Sequence, residues 1–204
     1  MLEITQSYGS PFVRKVRICT ALKGLEGEVR FIDPETDKSR NEALRAANPL
    51  QKIPAAMLAD GSLMFDSHVI CEYIDQMKPE PRLFPASGPA RWKTLTLASL
   101  ADGIMEAAIL VVYERRFRPE EKWHQGWVDK QQQKVDAGLA YLETQVPPWS
   151  GIPDYGQITL ACALGFLDHR QGRGWRDLTP RLAAWQNHFA ETVPSFAATA
   201  PPAA

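Results

Sequence analysis

The chain has 204 residues, with 23 basic against 24 acidic side chains and a net charge of −1, and its pI is near 6.4. That balance leaves no electrostatic footprint for nucleic acid or an anionic membrane. The length fits one large domain or two small ones with room for a real core.

The N-terminus lacks the basic-then-apolar pattern of a signal peptide, and no apolar run approaches ~18 residues. The three cysteines, Cys19, Cys71 and Cys162, stand far apart in apolar surroundings. They read as reduced, buried thiols, so a cytoplasmic setting is expected, with neither membrane nor nucleic acid as partner.

Leu2 to Gln6 predicts a short strand. Ser10-Pro11 then opens a helical run through Val16, Cys19 and Leu22 that stops at Gly24, since a polar cap followed by Pro is a helix start. Glu28 to Asp33 predicts a second strand, with Val29 and Phe31 on one face. A polar helix over Ser39 to Ala46 runs into Asn48-Pro49. Ala55 to Leu58 and Leu63 to Phe65 flank Asp60-Gly61, a strong short hairpin signal. Asp66-Ser67 offers a cap for a helix carrying Val69, Ile70, Tyr73, Ile74 and Met77. The order is β-α-β-α-β-β-α.

A proline-rich connector, Lys78 to Pro85, follows, and the pattern is helical from there to the end. Ala90 to Arg116 carries apolar residues on more than one face. A second helix is expected from about Pro119 to Leu142. A third starts at Asp154, where Asp154 and Gln157 have the spacing of a capping box. A last helix is expected from Pro180 to Ala190, and the tail from Ala197 onward is expected to fray. The expected division is a domain over 1–78, a linker over 79–88 and an all-helical domain over 89–204. His68, His124, His169 and His188 show no metal-ligand spacing and read as structural or solvated. The six tryptophans read as core residues.

Four motifs in order carry a resemblance. They are Ser10-Pro11-Phe12, Asn48-Pro49-Leu50-Gln51-Lys52-Ile53-Pro54, Phe65-Asp66-Ser67 and Pro194-Ser195-Phe196-Ala197-Ala198-Thr199. Across nearly its whole length the chain resembles a cytosolic glutathione transferase of the serine type. The resemblance implies a thioredoxin-like N-terminal domain followed by an all-helical C-terminal domain. Redox proteins of the thioredoxin type place Cys-x-x-Cys where this chain has Ser10 and Val13, so this site can hold a thiol but cannot supply one. One departure is Gln157, where the family usually has Asp; Gln still bonds backbone amides, so the capping box is expected to survive.

The resemblance implies a set of site residues. Ser10, otherwise a plain helix cap, is the candidate catalytic residue, whose hydroxyl donates to the thiolate of glutathione. Tyr8 is its rival, because some branches use a Tyr near the end of the first strand. Phe12, Lys52, Ile53 and Pro54 are candidate glutathione contacts, with Ile53-Pro54 expected to be cis and Lys52 to reach a ligand carboxylate. Asp66 suits the ammonium of the γ-glutamyl group and Ser67 its carboxylate, at a helix N-terminus that favours anions. Asp102 reads equally as a solvated helix residue or as a contact to a partner subunit's ligand. Tyr113, Arg116 and Phe117 are weaker candidates for the pocket of the second substrate.

Glutathione is the implied co-substrate, with no tightly bound cofactor. A small apolar electrophile or peroxide is the implied second substrate, and a homodimer the implied assembly. A glutathione-dependent isomerase or dehalogenase, and a non-catalytic binding module, are the alternatives on the same fold.

Overall fold

A computed structural model of the protein describes residues 1–149, 151–172 and 174–202. In chain order the elements are β1 (Leu2–Thr5), α1 (Pro11–Leu22), β2 (Val29–Ile32), α2 (Lys38–Ala47), β3 (Ala56–Met57), β4 (Leu63–Met64) and α3 (Ser67–Met77), then α4 (Gly88–Phe117), α5 (Gln125–Thr144), α6 (Tyr155–Arg170), α7 (Gly174–Leu178), α8 (Pro180–Thr192) and α9 (Pro194–Ala198). They form two compact units, Met1–Ala86 with Val193–Ala204, and Ser87–Thr192.

The first unit is built on a four-stranded sheet of order β2-β1-β3-β4. β1 runs parallel to β2, with Thr5 opposite Ile32, and antiparallel to β3, with Ile4 opposite Ala56. β4 returns antiparallel to β3 through a hairpin in which Gly61 takes φ +85°. Asp60 Oδ1 accepts from the Ser62 amide there, at 2.9 Å. Ile4, Val16, Cys19, Ile32, Ala56, Ile70 and Ile74 are buried and form the core. α1 ends where Gly24 enters the left-handed region at φ +59°, the conformation glycine adopts most readily at a helix end.

The connector expected over 79–88 is not a loose tether. Lys23 Nζ donates to the Lys78 and Pro81 carbonyls at 2.6 and 2.7 Å and pairs with Asp75 Oδ1 at 2.9 Å. Asp75 in turn accepts the Leu83 and Phe84 amides. The C-terminal signature also folds onto this unit instead of standing with the helical one. Arg14, buried on α1, donates to the Phe196 carbonyl at 2.7 Å, and its guanidinium lies 3.8 Å from the centre of the Phe196 ring. The tail is therefore fixed as far as Thr199, whose Oγ1 accepts from Arg14, where fraying was expected from Ala197.

The second unit is helical among the described residues. α4 packs against α5 and α6. Its Ala98, Ala101, Met105 and Ala108 are fully buried, which accounts for its apolar content. An 18-residue stretch of α4 reaches a mean hydropathy of 1.8, apolar enough by length and composition alone to cross a membrane. This corrects the expectation that no apolar run comes near that length; Asp102 and Glu106 interrupt it only twice.

The run expected from Pro119 splits into a 3-10 turn at Glu120–Lys122 and α5. α5 is capped by His124, whose Nδ1 accepts from the Trp127 amide at 3.0 Å. The capping box of α6 is reciprocal. Asp154 Oδ1 accepts the Gln157 amide at 2.9 Å, and Gln157 Oε1 accepts the Asp154 amide at 3.0 Å. Trp175 and Trp185 are core residues, but Trp92 is 66% and Trp127 46% exposed, so the expectation that the tryptophans are core holds only in part. Cys19, Cys71 and Cys162 are buried thiols with no disulfide.

Candidate active site

Register gathers three of the sequence motifs at one end of the sheet. β1 leaves the sheet at Thr5 and leads through Gln6–Gly9 to Ser10, the cap of α1. β3 starts at that same end, because Ile4 faces Ala56. Thr5 locks the two together: its amide donates to the Ala55 carbonyl at 2.9 Å, and its Oγ1 accepts the Ala55 amide at 2.7 Å. β4 ends there too, since Met64 faces Ala56, and so Phe65-Asp66-Ser67 opens α3 beside Ile53-Pro54. Ser10, Ile53-Pro54, Asp66 and Ser67 thus share one edge of the first unit.

Ser10 caps α1 in extended geometry, with φ −86° and ψ 119°. Its Oγ accepts the Val13 amide at 3.3 Å. Among the described residues its hydroxyl proton has no acceptor, so the O–H is available to a ligand. Tyr8 is differently placed. Its hydroxyl donates to Asp33 Oδ2, just past the end of β2 and on the opposite side of β1 from Ile53-Pro54. The bond to Asp33 pushes the phenol above its ordinary value and holds the carboxyl down, to about 2. The phenol proton is therefore committed to a protein group, while that of Ser10 is not.

Ile53-Pro54 is cis, as expected, and Phe65-Asp66 is cis as well. The Ile53 amide and carbonyl make no hydrogen bond among the described residues. The loop before it is held by buried Asn48, whose Nδ2 donates to the Lys52 carbonyl at 2.9 Å and whose Oδ1 accepts the Leu50 amide at 3.0 Å. Lys52 is exposed, with no ion-pair partner among the described residues.

Asp66 caps α3, accepting the His68 amide at 2.9 Å, and remains exposed; Ser67 is buried beside it. The first amides of α3 are orphan donors, as at any helix start. Phe12 is half-buried on α1, 5.5 Å from the Lys15 ammonium.

Asp102 lies on α4, in the second unit and away from these motifs in the chain. Tyr113 and Phe117 meet edge to face at 5.0 Å on the same helix, and Arg116 lies 5.5 Å from the Phe117 ring. Among the described residues no group of His, Cys, Asp or Glu is arranged to hold a metal.

Three contacts around the site were not foreseen. Asp33 grips Tyr8, Asn41 of α2 brackets the main chain of Gln6, and Asn48 holds the loop before Ile53. The first and last carried a local signal, since Asp33-Pro34 and Asn48-Pro49 are turn initiators. Asn41 carried none.

Known proteins match this chain in sequence and fold. Residues 9–77 match the glutathione S-transferase N-terminal domain, and residues 125–185 the glutathione S-transferase C-terminal domain. The GST-like protein YibF of Escherichia coli is 33% identical over 208 residues, covering 100% of both chains. The maleylacetoacetate isomerase of Pseudomonas aeruginosa is 29% identical over 142 residues, covering 67% of this chain and 65% of that one. A glutathione transferase family member from Pseudomonas fluorescens, solved with bound glutathione, superposes with a TM-score of 0.88 at 39% identity, covering 99% of this chain and 100% of that one. A thioredoxin-like domain followed by a helical one, matched over the full length at this identity, leaves one assignment: the chain belongs to the glutathione S-transferase family.

Proposed function

We propose that this protein binds glutathione and lowers the pKa of its thiol, so that the thiolate attacks a small apolar electrophile or peroxide. The observation that carries the reading is the Ser10 hydroxyl. It caps α1 at the edge shared by Ile53-Pro54 and Asp66-Ser67, and among the described residues its proton has no acceptor. A relative at 39% identity was solved with glutathione bound.

A free thiol has a pKa near ~8.5, so little thiolate exists at neutral pH. One pKa unit corresponds to ~1.4 kcal/mol, and a hydrogen bond to a charged group contributes ~1.5–3 kcal/mol. One donor at a helix N-terminus is therefore enough to bring the pKa of the thiol down to about 7. Ser10 is the thiolate donor in this scheme, not the nucleophile. The thiol proton leaves to solvent, the sulfur lone pair forms the new bond, and the leaving group departs with its electron pair.

The remaining residues orient the peptide. The Ile53 amide and carbonyl pair with the extended backbone of glutathione as an added strand. Ser67 and the first amides of α3 take the γ-glutamyl carboxylate, Asp66 takes its ammonium, and Lys52 takes the other terminal carboxylate. Phe12 lies next to the donor on α1.

The assembly is a homodimer formed through α4. Trp92 is 66% exposed there, and Trp92, Leu95, Thr96, Ser99 and Leu100 line a shallow apolar depression of the kind that marks partner contacts. Asp102 of one subunit then faces the glutathione of the other.

Ser10→Ala tests the reading. The pH titration of bound thiolate should shift upward, and turnover of a generic aryl halide should fall, with glutathione affinity little changed. An unchanged titration in Ser10→Ala would overturn the assignment. Retention on a glutathione column without turnover of several electrophiles would favour a binding module. A second reading, glutathione-dependent isomerisation, is favoured by the match to the Pseudomonas aeruginosa maleylacetoacetate isomerase. Turnover of a cis-enedione without consumption of glutathione distinguishes it.

A further inference from the structure

The Gln6–Gly9 loop that delivers Ser10 is held on both sides. On the β3 side, Thr5 locks the end of β1 to Ala55. On the β2 side stand two contacts that the proposed chemistry does not use. Asn41 of α2 accepts the Gln6 amide through Oδ1 at 3.0 Å and donates to the Gln6 carbonyl through Nδ2 at 3.4 Å. Tyr8 donates to Asp33 Oδ2.

Asp33 is itself fixed. Its other oxygen accepts the Glu35 and Thr36 amides at 2.8 and 3.0 Å, which leaves Oδ2 oriented for the phenol. A hydrogen bond to a carboxylate is about twice as strong as one between neutral groups. It is made here by the residue two positions before Ser10, across Gly9, which is the loop's most permissive residue. Asp33 opens the turn that leads into α2 and Asn41 lies in the first turn of α2 itself, so one short segment holds the loop at two points.

Resting on the assignment of Ser10 as thiolate donor, we infer that Asp33 is a positioning residue for that donor. It acts through Tyr8, fixing the loop so that the Ser10 hydroxyl meets the sulfur. Donor strength depends steeply on distance and angle, so a loop free to drift by a fraction of an ångström would still bind glutathione but activate it less. The other charged groups around Tyr8 are Glu35 and the half-buried Arg17. Neither is hydrogen-bonded to the phenol, so neither can replace Asp33.

The test compares wild type with Tyr8→Phe, Asp33→Ala, Asp33→Asn and Ser10→Ala. It reads the pH titration of the thiolate absorbance of bound glutathione, together with kcat and KM for glutathione. Tyr8→Phe keeps the ring and changes least in packing. Tyr8→Phe and Asp33→Ala should both raise the apparent thiol pKa. Both should also lower kcat about three- to tenfold below that pKa, with KM for glutathione within about twofold, the pattern of a lost transition-state interaction. Asp33→Asn, which keeps a neutral acceptor, should fall between Asp33→Ala and wild type. Wild-type titration and kcat in both Tyr8→Phe and Asp33→Ala, beside a damaged Ser10→Ala, would overturn the positioning role alone. A thiol pKa that falls in Asp33→Ala and recovers when Tyr8→Phe is added would show that Asp33 only restrains a rival donor, which also overturns it. A Ser10→Ala variant with wild-type titration and kcat would remove the donor itself, and with it the route from Asp33.

Discussion

Lys23→Met cuts the contact that ties together α1 and α3, the two helices whose N-termini carry Ser10 and Asp66-Ser67. Lys23 has no exposed side-chain surface and Asp75 is 7% exposed. The ammonium makes three bonds, to Asp75 Oδ1, Lys78 O and Pro81 O, at 2.9, 2.6 and 2.7 Å. Met keeps most of the volume, so the loss is electrostatic. It leaves two carbonyls without a donor and Asp75 with only the Leu83 and Phe84 amides. Removing one partner of a buried pair costs ~3–5 kcal/mol, because the other charge stays buried and uncompensated.

Asp75→Asn should cost a similar amount, since its amide cannot accept both backbone N–H groups and the ammonium. The double variant should cost less than the sum of the two, by ~0.5–3 kcal/mol. The measurement is urea unfolding followed by far-UV ellipticity. Intrinsic fluorescence reports the other unit, because all six tryptophans lie within residues 87–192. A loss below ~1 kcal/mol in Lys23→Met would place the pair with solvent-exposed ion pairs and refute the reasoning.

Five further outcomes are expected. Gly156→Ala should destabilise the helical unit by ~1–3 kcal/mol, the usual cost of overpacking, because the new Cβ would lie 2.6 Å from the Thr94 carbonyl oxygen. Gly103→Ala, whose Cβ meets nothing within 4 Å, should instead gain up to ~1 kcal/mol; tryptophan fluorescence in urea reads both. Asp66→Ala should weaken glutathione binding by ~1–3 kcal/mol in calorimetry, and unchanged affinity would remove Asp66 from the site. Trp92→Glu should lower the mass found by light scattering from dimer to monomer, and a wild-type monomer would refute the α4 interface. Asp33, held at about 2 in the fold against ~3.9 unfolded, has a depressed pKa. Its contribution is present above pH ~4 and lost as pH falls toward 2. Asp33→Asn should therefore lose stability less steeply than wild type across that window in acid titration followed by ellipticity.

The elements of the first unit were legible because each carries a local signal: a Pro behind a polar cap at Ser10, Asp60-Gly61 at the hairpin, and Asp66 before an apolar helical run. What failed to show was long range. Arg14 looks like a surface residue of an amphipathic helix, yet it is buried because the Phe196 carbonyl and ring, 182 positions on, give it partners. The domain boundary moved for the same reason, since composition alone leaves Val193–Ala204 with the helices it follows. Trp92 failed in the other direction. A large apolar residue reads as core unless the outward face of its helix is known, and α4 is apolar on more than one face.

Gln157 shows how a departure from a family pattern can be resolved only in three dimensions. The sequence supplied the spacing of the capping box and the expectation that Gln would serve in place of Asp. Both halves of the box are formed. In addition, Gln157 Nε2 donates to the Pro148 carbonyl at 2.7 Å, a bond that a carboxylate cannot make. Asp154, its partner, accepts the Thr94 hydroxyl of α4 at 2.6 Å. The box thus links the loop before α6, the start of α6 and α4, with Gly156 pressed against the Thr94 carbonyl at its centre. An Asp at 157 would add a second carboxylate beside Asp154 and leave the Pro148 carbonyl without a donor. The amide therefore belongs to this chain's own loop geometry and is not a weakened form of the family's residue.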